Sequence, residues 1–244
     1  MRICEAVDPY NRRTTAHVVA YLDILGASSR INQSAESQNA SLNLLHNLYT
    51  AVMDLSAQMG IDGYKDLKFK IFSDNIIIAK ELRDEQIEQD VLVLLNCVSH
   101  FMCHSVGDCV GWLARGGVTI GELYIDDTIV WGTGLIRAYE LEDKAAIYPR
   151  VVLDHSIVQI LDKLRSDYLR RDEDGLCFLN YMSIWHHSAR IIQAAFEQMK
   201  SEAIRKDGSY PERVYQKLYW HMNYINRELN LKDERKDRGI RLTI

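Results

Sequence analysis

The chain has 244 residues, 47% hydrophobic and 26% charged, an ordinary globular composition with enough length to bury a sizeable core. Its formal net charge of −5 argues against general nucleic-acid binding, which needs a basic footprint, but not against a small anionic ligand, for which local charge and bound metal decide. Five cysteines, an odd number with no C-x-x-C pair, argue against a disulfide framework or a structural zinc site.

No apolar run reaches the roughly 18–20 residues of a membrane span, and Met1 to Glu5 opens no apolar signal region. The expectation is a cytoplasmic protein with neither membrane nor nucleic acid as partner. In chain order, His17 to Ile24 is β-branched and apolar and predicts a buried strand ending at Gly26. Leu42, Leu45, Leu48, Tyr49, Val52, Leu55 and Met59 recur at threes and fours, the stripe of a half-buried helix. Leu67, Phe69 and Ile71 alternate with Lys68, Lys70 and Phe72 as in a strand, and Ser73-Asp74-Asn75 turns it into a second strand, Ile76 to Ala79. A second long helix covers roughly 84–106. Trp112 to Leu123 returns to strand, Tyr124 to Trp131 reads as a hairpin turning at Asp126-Asp127, Gly134 to Lys144 as a helix, and Val151 to Leu153 as a short strand. From Asp154 onward the chain reads as helices, clearest at 188–206 and 211–231. Paired strands split by helices predict an α+β fold: a ferredoxin-like βαββαβ core at 1–153, its antiparallel sheet packed with helices, and a helical C-terminal extension at 154–244 packed on that core.

Two acidic residues stand where apolar strands end: Asp23 in Tyr21-Leu22-Asp23-Ile24-Leu25-Gly26, and Asp74 at the tip of the first hairpin. A βαββαβ pairing brings the two together. Adjacent carboxylates repel unless a cation joins them, and hard oxygen ligands suit Mg²⁺ or Mn²⁺ shared with substrate phosphates. Backbone amides of the Ile24-Leu25-Gly26-Ala27 turn, placed ahead of a helix, suit phosphates, with Gly26 allowing close approach. Taken singly, each aspartate also fits a turn or helix cap.

Four segments in register resemble the class III adenylate and guanylate cyclases. Tyr21 to Gly26 is similar to their F-x-D-I-x-G, Lys70-Ile71-Phe72-Ser73-Asp74 to K-x-x-G-D, and Arg115-Gly116-Gly117-Val118-Thr119-Ile120-Gly121-Glu122 to R-x-G-x-x-x-G-x. Trp131-Gly132 through Leu141-Glu142 resembles the W-G segment leading into the last core helix, so the likeness spans about 16–153. It implies that Asp23 and Asp74, with the Ile24 carbonyl, bind two Mn²⁺ or Mg²⁺ ions, and that Ile24, Leu25, Gly26 and Ala27 hold phosphates. It further implies attack of the ribose 3′-hydroxyl on the α-phosphate with release of pyrophosphate, and sites completed across a homodimer interface.

The departures are informative. Lys70 keeps the base-reading lysine, but Ile129 stands at the partner aspartate's position, and Ile136 and Glu140 stand where the helix asparagine and transition-state arginine belong. Arg137 and Arg115 are the candidates to supply the missing positive charge, and the resemblance implies that Tyr21 borders the nucleotide. The divergent core and helical extension, with Tyr139 to Glu142 and Tyr148-Pro149-Arg150, are similar to the bacterial pyrimidine cyclases of the Pycsar antiphage system. That likeness implies a UTP or CTP substrate, UTP placed first, a cyclic UMP or cyclic CMP product, manganese, and a separate cyclic-nucleotide effector. A catalytically inactive nucleotide-sensing or partner-binding module and a metal-dependent phosphohydrolase are the competing readings. His100 and His104, four apart beside Cys97 and Cys103, lack an intervening glutamate and lie on an apolar helix, so packing is expected rather than zinc. Adjacent His186-His187 point apart on a helix, and Lys232 to Arg238 reads as a solvated segment.

Overall fold

The computed structural model describes residues 12–27, 31–32, 34–58, 64–106, 112–184, 189–204, 208 and 211–233. In chain order its strands and α-helices are β1 (Thr15–Ile24), α1 (Ala35–Gln58), β2 (Lys68–Phe72), β3 (Asn75–Glu81), α2 (Ile87–Val106), β4 (Ala114–Ile125) and β5 (Val130–Trp131). They continue as α3 (Thr133–Lys144), β6 (Val151–Leu153), α4 (His155–Leu164), β7 (Leu169–Arg171), β8 (Cys177–Leu179), α5 (Ala189–Ala203) and α6 (Glu212–Asp233). The strands form one sheet in the order β2-β3-β1-β4-β6-β8-β7, with β5 turned back on β4. Among these, β4 and β6 pair in parallel; the remaining pairs are antiparallel.

The period of two sorts β1 between two cores. Val18, Ala20, Leu22 and Ile24 enter the large core with Ile76 and Ile78 of β3, beneath α2. Val19 and Tyr21 face the other side with Ile77 and Ala79, where Ala138 of α3 packs on them. Register places Asp23, Asn75, Ile77, Lys70, Phe72 and Arg115 on this second face. Helix α2 is buried nearly all round: Val91, Leu94, Leu95, Val98 and Met102 lie wholly inside, and Ile87 at its start is partly buried. Helix α3 rests on β4 through glycines: a Cβ at Gly117 would collide with the Ala138 carbonyl and Leu141 Cβ, and one at Gly121 would fall 2.7 Å from Gly134 Cα.

The segment after Asp154 departs from the helical expectation. Leu169–Arg171 and Cys177–Leu179 are strands, and β8 pairs with β6, so the core sheet continues past residue 153 into the extension. Each strand has three residues, too few for a legible alternation. The stripe predicted for α1 also shifts. Leu48 and Val52 are buried and Leu45 is partly buried, but Leu42 is 63% exposed. At the sheet's outer edge, Ile71 of β2 is exposed rather than buried.

The extension is fastened by a buried cation. The Arg150 guanidinium, fully buried, binds Asp172 and Asp174 in the β7–β8 turn. It lies over the rings of Tyr148 and Trp220, 5.5 and 5.8 Å from their centroids. Trp220 of α6 donates its indole N–H to Asp172 at 2.7 Å and stacks on Tyr148. Farther along α6, Glu228 accepts from Arg170 at 2.9 Å and from Asn180 at 3.1 Å.

Candidate nucleotide and metal site

The end of the β1 strand brings the predicted aspartates together. Asp23 pairs in register with Asn75 on β3 and with Arg115 on β4. Phe72 pairs with Asn75, so the β2–β3 hairpin turns in two residues, Ser73 and Asp74. Ser73 takes φ 58°, the positive value that a tight, twisted hairpin loop needs. The turn delivers Asp74 beside β1: its carbonyl accepts from the Ile24 amide at 2.9 Å, and its carboxylate accepts from Asn75 Nδ2 at 3.1 Å. Tyr21 closes this network by donating its hydroxyl to Asn75 Oδ1 at 2.6 Å. Burial pushes the Tyr21 pKa up to about 12, and the negative charges of Glu142, Asp23 and Asp74 add to the effect, so the phenol remains a donor.

Arg115 is the positive centre of this end. Its Nε donates to Asp23 at 3.1 Å, and a terminal nitrogen lies 2.7 Å from Glu142, buried on α3. A weaker contact of 3.5 Å reaches the Ala146 carbonyl. Burial holds Glu142 above the usual carboxylate range; Arg115 opposes that rise and Asp23 reinforces it. No local pattern singles out Glu142, because its partner lies on a distant strand and helix–strand packing alone joins the two. Tyr139, one turn earlier on α3, meets Tyr21 edge-on at 5.5 Å.

Two amides of the Ile24–Ala27 turn are engaged within the chain. The Ile24 amide is committed to Asp74, and the Leu25 amide donates to Leu113 at 2.8 Å. Of the four predicted residues, Ile24 and Leu25 therefore shape the turn through their backbone amides. Gly26 takes a φ of +80°, and no described atom lies within 4 Å of a Cβ placed there, so its surroundings are open.

Arg137 stands apart from this group. It makes a paired contact with Asp154, at 3.1 and 3.0 Å, and Thr119 also donates to that carboxylate at 2.7 Å. Arg137 therefore does not join Asp23 and Asp74 within the chain. Lys70 shares their sheet face, two strands from Asp23. Of the residues at departed positions, Ile129 and Ile136 are exposed, and Glu140 bonds Lys144 at 2.9 Å.

Among the described residues no group of three or more His, Cys, Asp or Glu is placed to hold a metal. His100 and His104 stack, rings 6.3 Å apart, without a third ligand among those residues. His186-His187 and Glu234 to Arg238 lie outside the described residues. Two carboxylates and a carbonyl at one end of the sheet suit a hard divalent ion that takes its remaining oxygens from phosphates and water. No described helix is long and apolar enough to cross a membrane.

No protein-family model matches the chain. No curated protein sequence matches it. Among solved structures it is similar to the monomeric guanylyl cyclase domain of the RhoGC fusion protein of the aquatic fungus Blastocladiella emersonii: TM-score 0.51, 12% identity, covering 69% of this chain and 96% of that one. A class III adenylyl cyclase-like ATP-binding protein from Pseudomonas aeruginosa gives TM-score 0.45 at 12% identity, with 86% of this chain and 44% of that one covered. The α+β architecture, its multi-stranded sheet packed against helices, is the class III nucleotidyl cyclase fold.

Proposed function

We propose that the chain is a nucleotidyl cyclase that converts a pyrimidine nucleoside triphosphate, UTP before CTP, to the 3′,5′-cyclic monophosphate and pyrophosphate. One observation carries the reading: in a fold shared with a guanylyl cyclase domain, Asp23 and Asp74 meet at the end of β1 beside the Gly26 turn. Asp23, Asp74 and the Ile24 carbonyl would hold two Mn²⁺ or Mg²⁺ ions. Such ions, when bound, lower the pKa of the attacking ribose hydroxyl and offset charge on the phosphates. The chain's own residues do the rest. The Gly26 and Ala27 amides donate to phosphate oxygens, and Arg115 faces the charge that grows on the departing pyrophosphate. Tyr21, kept protonated, fixes Asn75 and through it the Asp74 carboxylate.

Pyrimidine preference rests on the resemblance to the Pycsar cyclases and on apolar Ile129 and Ile136, where a purine cyclase carries a base-reading aspartate and a ribose-orienting asparagine. Exposed Ile129, Trp131, Ile136 and Tyr139 along β5 and α3 form an apolar surface suited to a homodimer. In that dimer Arg137 would serve the partner's site. Signalling to a separate effector in bacterial antiphage defence, in the cytoplasm, follows from the same resemblance. The second reading, an inactive nucleotide-sensing module, is favoured by the engagement of Arg137 with Asp154. Incubation with each of the four NTPs and Mn²⁺, followed by separation of products, decides: cyclic UMP or cyclic CMP is expected, and no cyclic product from any NTP overturns the cyclase. Nucleoside diphosphate or monophosphate instead would indicate a phosphohydrolase.

A further inference from the structure

A cavity lies at the opposite end of β1 from the two aspartates. Strand β2 begins at Lys68, opposite Ala79, and β3 runs two residues past it, through Lys80 and Glu81. The short helical turn Tyr64–Asp66 precedes β2 and, with the start of β1 and the end of β4, walls a space of about 510 Å³. Thr15 of β1 pairs with Leu123 of β4, and both line it. Asp23 is eight residues farther along β1, roughly 26 Å in an extended strand.

The lining is cationic in a chain of net charge −5: Arg13, Lys65, Lys68, Lys80 and Arg83 against the carboxylates of Asp66 and Glu81. The most buried of these cations is Lys80, its side chain 1% exposed. Its ammonium lies 3.4 Å from Asp90, which is wholly buried, and 3.5 Å from Asp66, which is 63% exposed. Asp90 also accepts from the Arg83 backbone amide at 3.0 Å and from its guanidinium at 3.2 Å. One buried carboxylate thus serves two cations, and the second countercharge stands largely in water, where it is screened. Exposed Lys65 and Lys68 add two more positive charges to the wall. Cations gathered around a concave surface focus their field and draw in small anions, and a volume of this size admits a nucleotide-sized molecule.

We propose that this cavity binds a small anion bearing two or more phosphate charges, at a site separate from the aspartates and independent of the cyclase reading. Lys80, held by Asp90, supplies a fixed charge, and Lys65 and Lys68 donate charge-assisted hydrogen bonds to the phosphate oxygens.

Calorimetric titration with inorganic pyrophosphate and with ADP is the test. It is run in EDTA, so that no divalent ion bridges either probe to the aspartates, on wild type, the double variant Lys65→Ala/Lys68→Ala, and Asp23→Ala. Both lysines are exposed, so their removal leaves the core intact, and melting curves confirm folding. Wild type is expected to bind, the double variant to bind roughly tenfold or more weakly through loss of two charge-assisted contacts, and Asp23→Ala to bind as wild type does. Tighter binding of ADP than of pyrophosphate identifies the ligand as a nucleotide; equal or weaker binding identifies it as a free polyphosphate. No binding of either probe to wild type, equal affinity in the folded double variant, or an equal loss in Asp23→Ala overturns the assignment.

Discussion

Arg115 and Asp23 face one another across β4 and β1, and their side chains close to 3.1 Å. Within the chain the guanidinium thus supplies the countercharge that a divalent ion would supply during turnover. On the cyclase reading, removing a carboxylate removes a proposed metal ligand without opening the core, since the Asp23 side chain is 20% exposed. Asp23→Ala and Asp74→Ala are each expected to cut cyclase activity by at least about a thousandfold, while melting stays near wild type. Activity with Mn²⁺, read beside the melting curve, checks this; a variant that stays folded and active contradicts the metal assignment.

Glu142 gives a pH prediction of definite sign. Burial raises its pKa above the ordinary 4.5, so between that value and the raised one the folded state holds more protons than the unfolded state. Its contribution to stability is full at low pH and falls as pH rises through this interval. Glu142→Gln removes the dependence. The melting temperature of the variant relative to wild type is expected to climb from about pH 4 to about pH 7. A relative decline over that range would show that the charged Glu142–Arg115 pair stabilises more than burial penalises it.

Gly117 tests the seating of α3 on β4. A methyl group there meets the Ala138 carbonyl and the Leu141 side chain, both fixed within the helix. Gly117→Ala is expected to destabilise by about 2–4 kcal/mol through overpacking. Gly26→Ala finds open space and suffers only from its positive φ, so about 1 kcal/mol is expected. Chemical denaturation of both variants checks the order; equal losses would remove the close-packing argument.

Arg150 is a buried charge with two acidic partners and two aromatic neighbours. Arg150→Met leaves Asp172, itself 12% exposed, without its cation and bound to the Trp220 N–H, and is expected to cost about 3–5 kcal/mol. Urea unfolding measures this. A loss below about 1 kcal/mol would mean that the cluster does not hold the extension in place.

Local pattern makes β1 to β6, α2 and α3 legible, because each is long enough, or sharply enough bounded, to display its period. It fails at β7 and β8, three-residue strands that derive their order from pairing, β8 with β6 and β7 with β8. In the site, Asp23 and Asp74 are readable as carboxylates ending apolar strands. Asn75 reads in the sequence only as a turn residue, although its side chain links Tyr21 to Asp74. The linkage of Arg115 to Glu142 depends on how a helix settles on the sheet, which no local spacing encodes. The positive φ of Gly26 is a further reason for glycine in the expected turn, one that the sequence does not display.

The two outer strands share a trait with consequences for the protein in concentrated solution. β2 has five residues carrying Lys68 and Lys70, and β7 has three, including Arg170 and Arg171. Short, cationic borders resist the lateral addition of foreign strands, the route by which unpaired backbone seeds fibrils. A chain cut after Leu153 would lose this protection, because β6, apolar throughout and no longer covered by β8, would become the border.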